Sequence, residues 1–253
     1  MPIPLQKTTI YGPVNSRRLG RSLGINLSPC QYKLCSFNCL YCHYGWTEYL
    51  TNVFSQFEKD MPSPEEVEKA LEDYLSKNTH IDFITFSGNG EPCSHPKFQE
   101  IVDLVLKVRD KFVPEKKVAI LSNSTMLEKR GVRDALEKLD VRIMKFDCGN
   151  ENTFKRFNRP YKEISFQRIY ENLKNINDIV IQTVLAGGER GNFSIKDVEG
   201  WKERIAEIKP LYVQLYSLDR EPADTSLKKV EKEKLIEVKD NLEGRYKIQV
   251  EIY

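Results

Sequence analysis

Residues 30–42 read Cys-Gln-Tyr-Lys-Leu-Cys-Ser-Phe-Asn-Cys-Leu-Tyr-Cys, and within them Cys35, Cys39 and Cys42 form the pattern C-x3-C-x2-C. Thiolates grouped in one loop are the ligands that zinc, copper(I) or an iron–sulfur cluster selects. A closed structural zinc site takes four ligands, normally as two evenly spaced pairs. The nearest candidates for a fourth ligand here, Cys30 and His43, do not complete a second such pair. Iron–sulfur cubes are held by thiolates, and three thiolates leave one iron open. The loop therefore favours such a cube, while a zinc-stapled binding module stays open as the alternative.

The composition is that of an ordinary globular protein. Of 253 residues, 40% are hydrophobic and 30% are charged, which fits one domain with a sizeable core. The 39 basic residues nearly balance the 37 acidic ones, so no global basic field indicates a dedicated nucleic-acid binder. No apolar run reaches membrane-spanning length, and the first residues lack a signal-peptide core. Six cysteines with three in a metal-type cluster favour a reducing compartment, so we expect a cytoplasmic protein without membrane contact.

A second motif, Gly88-Asn89-Gly90-Glu91-Pro92, follows an apolar run at 81–86 that predicts a buried strand. Glycines allow another chain or a ligand to approach the backbone closely, and Glu91 offers an anionic acceptor. Asn89 is compatible with such a turn, because asparagine also adopts positive φ. The sequence therefore predicts a ligand-binding loop at the carboxyl end of this strand.

Apolar runs and helical patterns alternate along the rest of the chain. Strands are predicted at 23–27, 81–86, 118–121, 141–146, 179–185 and 211–215, with a half-exposed edge strand at 246–253. Helices are predicted after the capping box at Ser63, at 96–109, 133–139 and 166–176, after Ser194, and at 230–242. Six strand–helix units fit a partial (β/α)6 barrel, and a doubly wound sheet fits nearly as well. We expect one domain over 1–253, with an irregular segment at 1–21, a barrel core at 22–218, and a C-terminal helix and strand at 219–253.

The cysteine spacing, with Tyr41 just before the last cysteine, resembles the signature of the radical S-adenosylmethionine (radical SAM) enzymes. The resemblance implies an α/β fold, a partial (β/α)6 barrel whose parallel sheet carries outer helices. It also implies that Cys35, Cys39 and Cys42 hold a [4Fe-4S] cluster whose open iron is chelated by S-adenosylmethionine. In that superfamily one electron cleaves the cofactor to methionine and a 5′-deoxyadenosyl radical, which abstracts hydrogen from substrate. An enzyme of the iron–sulfur oxidoreductase or lyase type, with an electron donor such as flavodoxin or ferredoxin, is therefore expected.

The resemblance also suggests which residues meet the cofactor. Gly88, Asn89, Gly90 and Glu91 stand where the superfamily carries a Gly-Gly-Glu motif that receives the methionine ammonium group. Further cofactor-binding residues are expected at strand ends: Tyr41 by the adenine, Ser122 and Asn123 at the carboxylate or ribose, Asp147 at the ribose hydroxyls, and Gln182 toward cofactor or substrate. A structural role as turn-forming residues is the alternative for each strand-end residue.

Three further segments resemble one subgroup of the superfamily. They are Gly12–Gly20, Ser87–Glu91 with His95-Pro96, and Phe157-Asn158-Arg159-Pro160. The subgroup includes the 4-demethylwyosine synthases, which rebuild a guanine of phenylalanine tRNA using pyruvate. An RNA substrate and a monomeric enzyme are expected. Those enzymes carry a cysteine trio ahead of the radical motif, where this chain has only Cys30, and their pyruvate-holding lysine has no match here. Modification of a peptide or small molecule, or activation of a glycyl-radical enzyme, therefore stays open.

Two smaller sets of residues complete the predicted site. Cys30, Cys93 and Cys148 each follow a predicted strand, so they are expected at the catalytic edge. Packing is the simplest role for these cysteines; the alternatives are auxiliary cluster ligation by Cys30 and Cys93 and a catalytic, substrate-facing role for Cys148. Arg17, Arg18 and Arg21 predict either a solvated turn or an anion contact near the mouth of the site.

Overall fold

The computed structural model describes residues 2–253, in which strands and helices alternate along the chain. The strands are β1 (Ile10–Ser16), β2 (Gly20–Ile25), β3 (Leu34–Cys35), β4 (Tyr49–Leu50), β5 (Phe83–Phe86), β6 (Lys117–Ser122), β7 (Val141–Lys145), β8 (Ile179–Val184), β9 (Ala186–Gly187), β10 (Tyr212–Tyr216), β11 (Lys228–Lys229) and β12 (Val250–Ile252). The α-helices are α1 (Pro64–Leu75), α2 (Phe98–Phe112), α3 (Arg130–Glu137), α4 (Glu151–Phe157), α5 (Phe166–Lys174), α6 (Ile195–Ile208) and α7 (Lys232–Asn241). None of these helices is both long enough and apolar enough to cross a membrane.

Eight of the strands form one sheet in the order β1-β2-β5-β6-β7-β8-β10-β12. From β2 to β10 the neighbours are parallel and follow one another in the sheet as they do along the chain. β12 extends the parallel set at one edge, whereas β1 forms an antiparallel hairpin with β2 at the other. A doubly wound sheet reverses its strand order near the middle. The continuous order instead confirms the predicted partial (β/α)6 barrel.

Local sequence signals predicted the starts of two helices correctly. The Ser63 hydroxyl accepts a hydrogen bond from the Glu66 N–H, and the Glu66 carboxylate accepts one from the Ser63 N–H, which completes the capping box of α1. Ser194 caps α6 by accepting from the Asp197 N–H. Such caps satisfy main-chain donors that the first turn of a helix leaves without partners.

Three segments differ from the prediction. An irregular structure over residues 1–21 is wrong for Ile10–Ser16, because β1 pairs with β2; a register shift within the hairpin conceals the strand pattern. The short helix Glu151–Phe157 was not predicted, since its seven residues are too few for a clear helical period. The predicted strand over 246–253 shortens to Val250–Ile252, because a π-helical turn occupies Leu242–Tyr246.

The interior of the barrel is closed toward the N-terminal ends of its strands by four apolar residues. Leu19, Ala119, Ile143 and Val180 pack together there and are at most 7% exposed. Leu19 comes from the turn of the β1–β2 hairpin, and the other three come from β6, β7 and β8. We call these four residues the floor cluster. Because the hairpin supplies one of them, it is part of the barrel.

Two residues further toward the carboxyl ends of β7 and β8, the side chains on the same strand faces are polar instead of apolar. Side chains two residues apart on a strand point to the same face, so Lys145 and Gln182 follow Ile143 and Val180. Gln214 of β10 continues the row, and its Oε1 accepts a 2.9 Å hydrogen bond from Gln182 Nε2. Lys145, Gln182 and Gln214 stand in register on three neighbouring strands. We call these three residues the polar layer.

Candidate active site

The loop that carries the three cysteines is fixed by main-chain hydrogen bonds to residues 157–160. The Leu40 N–H donates to the Phe157 carbonyl at 3.0 Å, and the Asn38 N–H donates to the Arg159 carbonyl at 3.0 Å. These bonds span more than a hundred residues of sequence, so the loop cannot be positioned by its own turn alone. The segment that begins at Phe157 therefore fastens the cysteine loop to the body of the protein.

The three thiols of this loop lie within electrostatic range of one another. Cys35 and Cys39 are each 9% exposed. Burial raises the pKa of Cys35 to about 11, although the nearby Lys33 ammonium acts against it. Burial raises the pKa of Cys39 as well, and the neighbouring Cys42 and Cys35 add to this effect. Metal ligation requires deprotonated thiols, so a bound metal group would displace these protons.

Lys33 places an ammonium group beside all three thiols. The residue is only 5% exposed, and its Nζ donates to the Gly45 carbonyl at 2.5 Å. Burial lowers the pKa of Lys33, but the thiols, led by that of Cys42, outweigh this and raise it. Within residues 2–253 no carboxylate forms an ion pair with Lys33. A buried ammonium is costly unless anions stand nearby, and the three thiols, once deprotonated, are the anions available to it.

Glu91, at the end of the glycine-containing motif, is a buried carboxylate with neutral partners. Its Oε1 accepts from the Ser122 hydroxyl at 2.9 Å and from the Cys93 N–H at 3.0 Å, and its Oε2 accepts from the Asn123 N–H at 2.5 Å. Glu91 is 2% exposed, and among residues 2–253 no cationic side chain forms an ion pair with it. Burial raises its pKa, while the three hydrogen bonds lower it. Such a carboxylate is suited to receive a cation from a ligand.

The two glycines of the motif allow close packing against the segment before the first cysteine. Gly88 has a φ of 136°, and a Cβ there would lie 2.5 Å from Asn26 Oδ1. A Cβ on Gly90 would lie 2.1 Å from the Leu34 carbonyl oxygen. Asn89 between them is buried, and its side-chain amide binds main-chain groups of two N-terminal segments. The strand-end loop and the cysteine loop therefore form one packed unit.

Asp147 connects the cysteine loop to strands β7 and β8. Its Oδ2 accepts from the Tyr41 hydroxyl at 2.5 Å and from Asn158 Nδ2 at 3.1 Å. Its Oδ1 accepts from the Val184 N–H at 3.0 Å and lies 2.8 Å from Lys145 Nζ. Burial, followed by the Asp147 charge, raises the pKa of Tyr41, so Tyr41 remains a neutral donor. With four donors on its two oxygens, Asp147 fixes Tyr41 relative to the barrel.

A cavity of about 330 Å³ lies inside the barrel. Leu19 of the floor cluster lines one side of it, Gly88 and Gly90 line another, and His43 and Tyr44, which follow the last cysteine of the loop, line a third. The cavity is therefore bordered by the floor, the glycine-containing motif and the cysteine loop. It is the place where a molecule bound in the barrel would meet a group held by the cysteines.

The predicted cofactor residues form two contacting groups and one separate residue. Glu91, Ser122 and Asn123 are joined by hydrogen bonds, and Asn123 Nδ2 also donates to Ser36 Oγ at 2.8 Å in the cysteine loop. Tyr41 and Asp147 form the second group. Gln182 stands apart in the polar layer, where it donates to Gln214. Direct contact of any of these residues with a cofactor remains a prediction.

The three cysteines outside the motif have different surroundings. Cys148 Sγ donates to Asn158 Oδ1 at 3.2 Å, and burial, followed by the Asp147 charge, raises the pKa of Cys148, which keeps the thiol protonated. Cys93 is buried beside Glu91, whereas Cys30 accepts a weak bond from an amide at 3.7 Å. Within residues 2–253 no hydrogen bond joins any two of these three thiols. Their auxiliary and catalytic roles remain predictions.

Sequence reasoning assigned no role to three residues that the structure places in the site. Lys33 lies inside the quoted cysteine stretch, and Lys145 is the charged end of an otherwise buried strand face. Asn158 donates from Nδ2 toward Cys39 Sγ at 3.7 Å and to Asp147. An ionisable residue within an apolar pattern was the available signal for the two lysines. Asn158 lies in the segment Phe157–Pro160, which resembles the subgroup, but nothing local indicated its role, because its partners are distant in sequence.

The donor set fits an iron–sulfur cube with an amino-acid-like ligand. Within residues 2–253, no three His, Cys, Asp or Glu side chains converge on one point as a single metal ion requires. A cube differs, because each thiolate binds a separate iron atom. Three thiols beside one ammonium suit the cube, and the nearby Glu91 carboxylate, which lacks a cation, suits an ammonium group on its ligand.

Comparison with known families gives a match over the region of this site. Residues 32–190, more than half of the chain, match the family model described as the radical SAM superfamily. The matched region begins just before the cysteine motif and extends past β9.

Two curated relatives align with almost the whole chain. A protein of Brachyspira hyodysenteriae named GTPase Obg is 31% identical over 256 residues, covering 98% of this chain and 35% of that protein. A UPF0026 protein of Methanocaldococcus jannaschii is 30% identical over 253 residues, covering 96% of this chain and 74% of that protein. The chain thus spans about a third of the first relative's length, and that relative's whole activity is not carried over to it.

Solved structures resemble the fold at low sequence identity. A radical SAM methyltransferase from Sphaerobacter thermophilus has a TM-score of 0.64 at 13% identity and covers 92% of this chain and 65% of that chain. SuiB of Streptococcus suis bound to S-adenosylmethionine has a TM-score of 0.64 at 13% identity and covers 91% of this chain and 50% of that chain. TYW1 with a lysine–pyruvate adduct has a TM-score of 0.55 at 15% identity, covering 89% and 74%. At these identities the likeness concerns the fold alone.

Proposed function

The chain belongs to the radical SAM superfamily and is a radical SAM enzyme, and we propose that Cys35, Cys39 and Cys42 ligate its [4Fe-4S] cluster. Enzymes of this family use such a cluster together with S-adenosylmethionine. When bound, the cluster supplies the electron that cleaves S-adenosylmethionine and starts hydrogen abstraction from substrate. The observation that carries the assignment is the buried Lys33 ammonium, which has three thiols around it and, among residues 2–253, no carboxylate paired with it.

Glu91 is the residue we assign to the ammonium group of S-adenosylmethionine. Its carboxylate is buried and held in place by Ser122 and Asn123, which are neutral donors. Hydrogen bonds to a charged group are stronger than neutral ones, and burial from water increases the effect. Gly88 and Gly90 let the loop that carries Glu91 pack directly against Asn26 and Leu34, which fixes Glu91 relative to the cysteine loop. We assign Tyr41 and Asp147 to positioning the cysteine loop over this place.

The test is anaerobic reconstitution of the full chain with iron and sulfide. We expect about four irons per chain and, with a strong one-electron reductant, release of 5′-deoxyadenosine from S-adenosylmethionine. Cys35→Ala, Cys39→Ala and Cys42→Ala should each abolish both. Val108→Ala is the control for lost packing, since this side chain is buried in α2, outside the motif, and should leave both unchanged. One tightly bound zinc ion without nucleoside release would identify a zinc-stapled module instead.

For the substrate, we propose the modification of RNA, as in the subgroup of the 4-demethylwyosine synthases. The support is the resemblance of Gly12–Gly20, His95-Pro96 and Phe157–Pro160 to that subgroup. A flavodoxin or ferredoxin is the proposed electron donor in the cytoplasm, and the enzyme is proposed to act as a monomer. Comparison of modified nucleosides between a gene-deletion strain and its parent tests the substrate. Loss of one nucleoside supports RNA modification, and unchanged nucleosides favour a peptide, small-molecule or glycyl-radical-enzyme substrate.

A further inference from the structure

The tip of the β1–β2 hairpin places Arg18 against two tyrosines from the opposite edge of the sheet, Tyr216 of β10 and Tyr253 after β12. The Ser16 hydroxyl accepts hydrogen bonds from the N–H groups of Arg18 and Leu19 at 3.2 and 3.1 Å, which fixes the turn. Leu19 packs in the floor cluster. Ser16 and Leu19 both line the cavity, so Arg18 belongs to the segment that forms one of its walls.

The Arg18 guanidinium is held between two aromatic rings and is left without hydrogen-bond partners on two nitrogens. Its Cζ lies 4.4 Å from the centroid of the Tyr216 ring and 4.9 Å from that of Tyr253. Nε and Nη2 are buried, and within residues 2–253 neither atom has a hydrogen-bond partner. Buried donors of folded proteins are nearly always paired, so unpaired ones on a charged group call for an explanation.

The acids on the surrounding elements are already bound to other groups. Arg17 and Lys229 form ion pairs with Asp219. Lys145 pairs with Asp147, and Glu251 accepts from the Tyr253 hydroxyl at 2.5 Å. No carboxylate of residues 2–253 therefore forms an ion pair with Arg18.

Other cations stand near the same space. Lys145 Nζ donates to the Tyr216 hydroxyl at 3.1 Å, on the ring that also stacks under Arg18. Arg220 lines the cavity. Within residues 2–253, no aspartate or glutamate lines the cavity. Positive charge therefore exceeds negative charge around the cavity, although the whole chain is nearly balanced.

We propose that Arg18 is an oxyanion-binding residue for the substrate, receiving a carboxylate or phosphate group through its unpaired Nε–H and Nη2–H. A guanidinium presents a planar fork that matches either group with two hydrogen bonds. Tyr216 and Tyr253 pack against this fork. The cavity of about 330 Å³ borders the same turn, where Ser16 and Leu19 line it on either side of Arg18 in the sequence. The inference rests on the proposed function, because it takes the substrate to enter the barrel interior beside the cysteine loop.

The test uses inorganic phosphate and acetate as probes on the anaerobically reconstituted full chain. The unfolding midpoint is measured against probe concentration at constant ionic strength, which yields an apparent dissociation constant. Arg18→Met should weaken the binding of the preferred probe by about 10- to 100-fold, the loss typical of a hydrogen-bonded charge. Arg18→Lys keeps the charge without the planar fork, so its apparent dissociation constant should lie between those of the unchanged protein and Arg18→Met. Arg21→Met is the control, because Arg21 is an exposed arginine of the same segment.

The two probes and the cofactor separate the outcomes. Preference for phosphate identifies a phosphate ester, and preference for acetate identifies a carboxylic acid. Equal binding by the unchanged protein and Arg18→Met, or binding of neither probe, would overturn the proposal. Loss of probe binding at saturating S-adenosylmethionine would also overturn it, since the anion would then belong to the cofactor. If Arg18→Met does not fold, Arg18→Lys decides the question.

Iron content separates this inference from the proposed function. If the chain binds about four irons but Arg18→Met does not change probe binding, the proposed function is retained and the anion subsite is rejected. If the chain binds zinc and probe binding still depends on Arg18, the proposed radical chemistry is rejected and the anion site is retained.

Discussion

The floor cluster and the polar layer share strands β7 and β8, yet they differ completely in chemistry. Ile143 and Val180 of the floor are in register with each other, and so are Lys145 and Gln182 one step along the same faces. The floor residues are almost fully buried and apolar. The polar layer carries an ammonium and two amides toward the carboxyl ends of the strands. A single step along each strand thus separates the part that stabilises the barrel from the part that faces the site.

The two regions also differ in whether they contain charged side chains that only a ligand could pair. No ionisable side chain belongs to the floor cluster, so its stability needs no ligand. At the other end Lys33, Glu91 and Arg18 are charged groups that form no ion pair within residues 2–253. Groups of this kind reduce stability unless they are paired, and they are retained where a site needs them. We therefore expect substitutions at the floor to change folding and substitutions above it to change ligand binding.

The largest effect is expected at the floor. Ile143→Ala removes a fully buried side chain from the centre of the barrel and should reduce the free energy of unfolding by about 2–5 kcal/mol. Chemical denaturation measures this loss. Iron bound per folded chain should stay unchanged, because Ile143 packs in the floor cluster, which contains no residue of the cysteine loop. Ile236→Ala is the matched control, since that isoleucine is exposed and should cost much less. A variant that folded normally but lost its iron would show that the two ends are not separable.

Above the floor, Glu91→Gln is the sharpest single change. The amide keeps an oxygen for Ser122 but removes the negative charge, so affinity for S-adenosylmethionine should fall by about 10- to 100-fold. Equilibrium binding to the reconstituted protein measures it. Glu66→Gln alters an exposed cap on α1 and should leave the affinity unchanged. If both variants bound the cofactor equally well, the ammonium assignment would be wrong.

Asn158→Ala tests whether the loop needs its distant support. The side chain donates to Asp147 and toward Cys39, so it acts behind the proposed cluster ligands. Groups in this position typically contribute tenfold or more to metal affinity, and we expect about a tenfold faster loss of iron to a chelator. Asn175→Ala, at the exposed end of α5, is the control. Equal rates of iron loss would mean that the main-chain bonds of residues 157–160 suffice.

The sequence predicted those features that are local. The cysteine spacing, the Ser63 capping box and the glycine-containing motif each occupy a few consecutive residues, and the structure has them where they were expected. Contacts between distant segments were beyond such reasoning. Asn158 lies 119 residues from Cys39, and no pattern in either segment indicates the other. The contacts of Arg18 with Tyr216 and Tyr253 likewise depend on the packing of Leu19 in the floor cluster. These contacts exist only in the assembled barrel.

The smallest effect concerns His95, which follows the Glu91 motif and is part of its support. Its Nε2–H donates to the Pro62 carbonyl at 3.0 Å, and its Nδ1 accepts from the Lys97 N–H at 3.1 Å, so the neutral ring satisfies both partners. Burial lowers the pKa of His95 below its ordinary value. Between the unfolded and folded pKa values the unfolded chain binds the extra proton. Stability contributed by His95 is therefore present above the unfolded pKa of about 6.5 and declines as pH falls, by at most about 1.4 kcal/mol per pH unit.

His95→Gln removes this titration while keeping a side-chain amide near Pro62. The difference in unfolding free energy between the unchanged protein and this variant should therefore shrink from pH 7.5 to pH 5.5, as measured by chemical denaturation at each pH. Asn78→Gln provides the control, since it is an exposed substitution that removes no ionisable group and should give the same difference at both values. A pH-independent difference for His95→Gln would mean that the folded protein accepts the proton without losing the Lys97 bond. The surroundings of His95 would then accommodate its charged form, in contrast to the floor cluster, which contains no ionisable group.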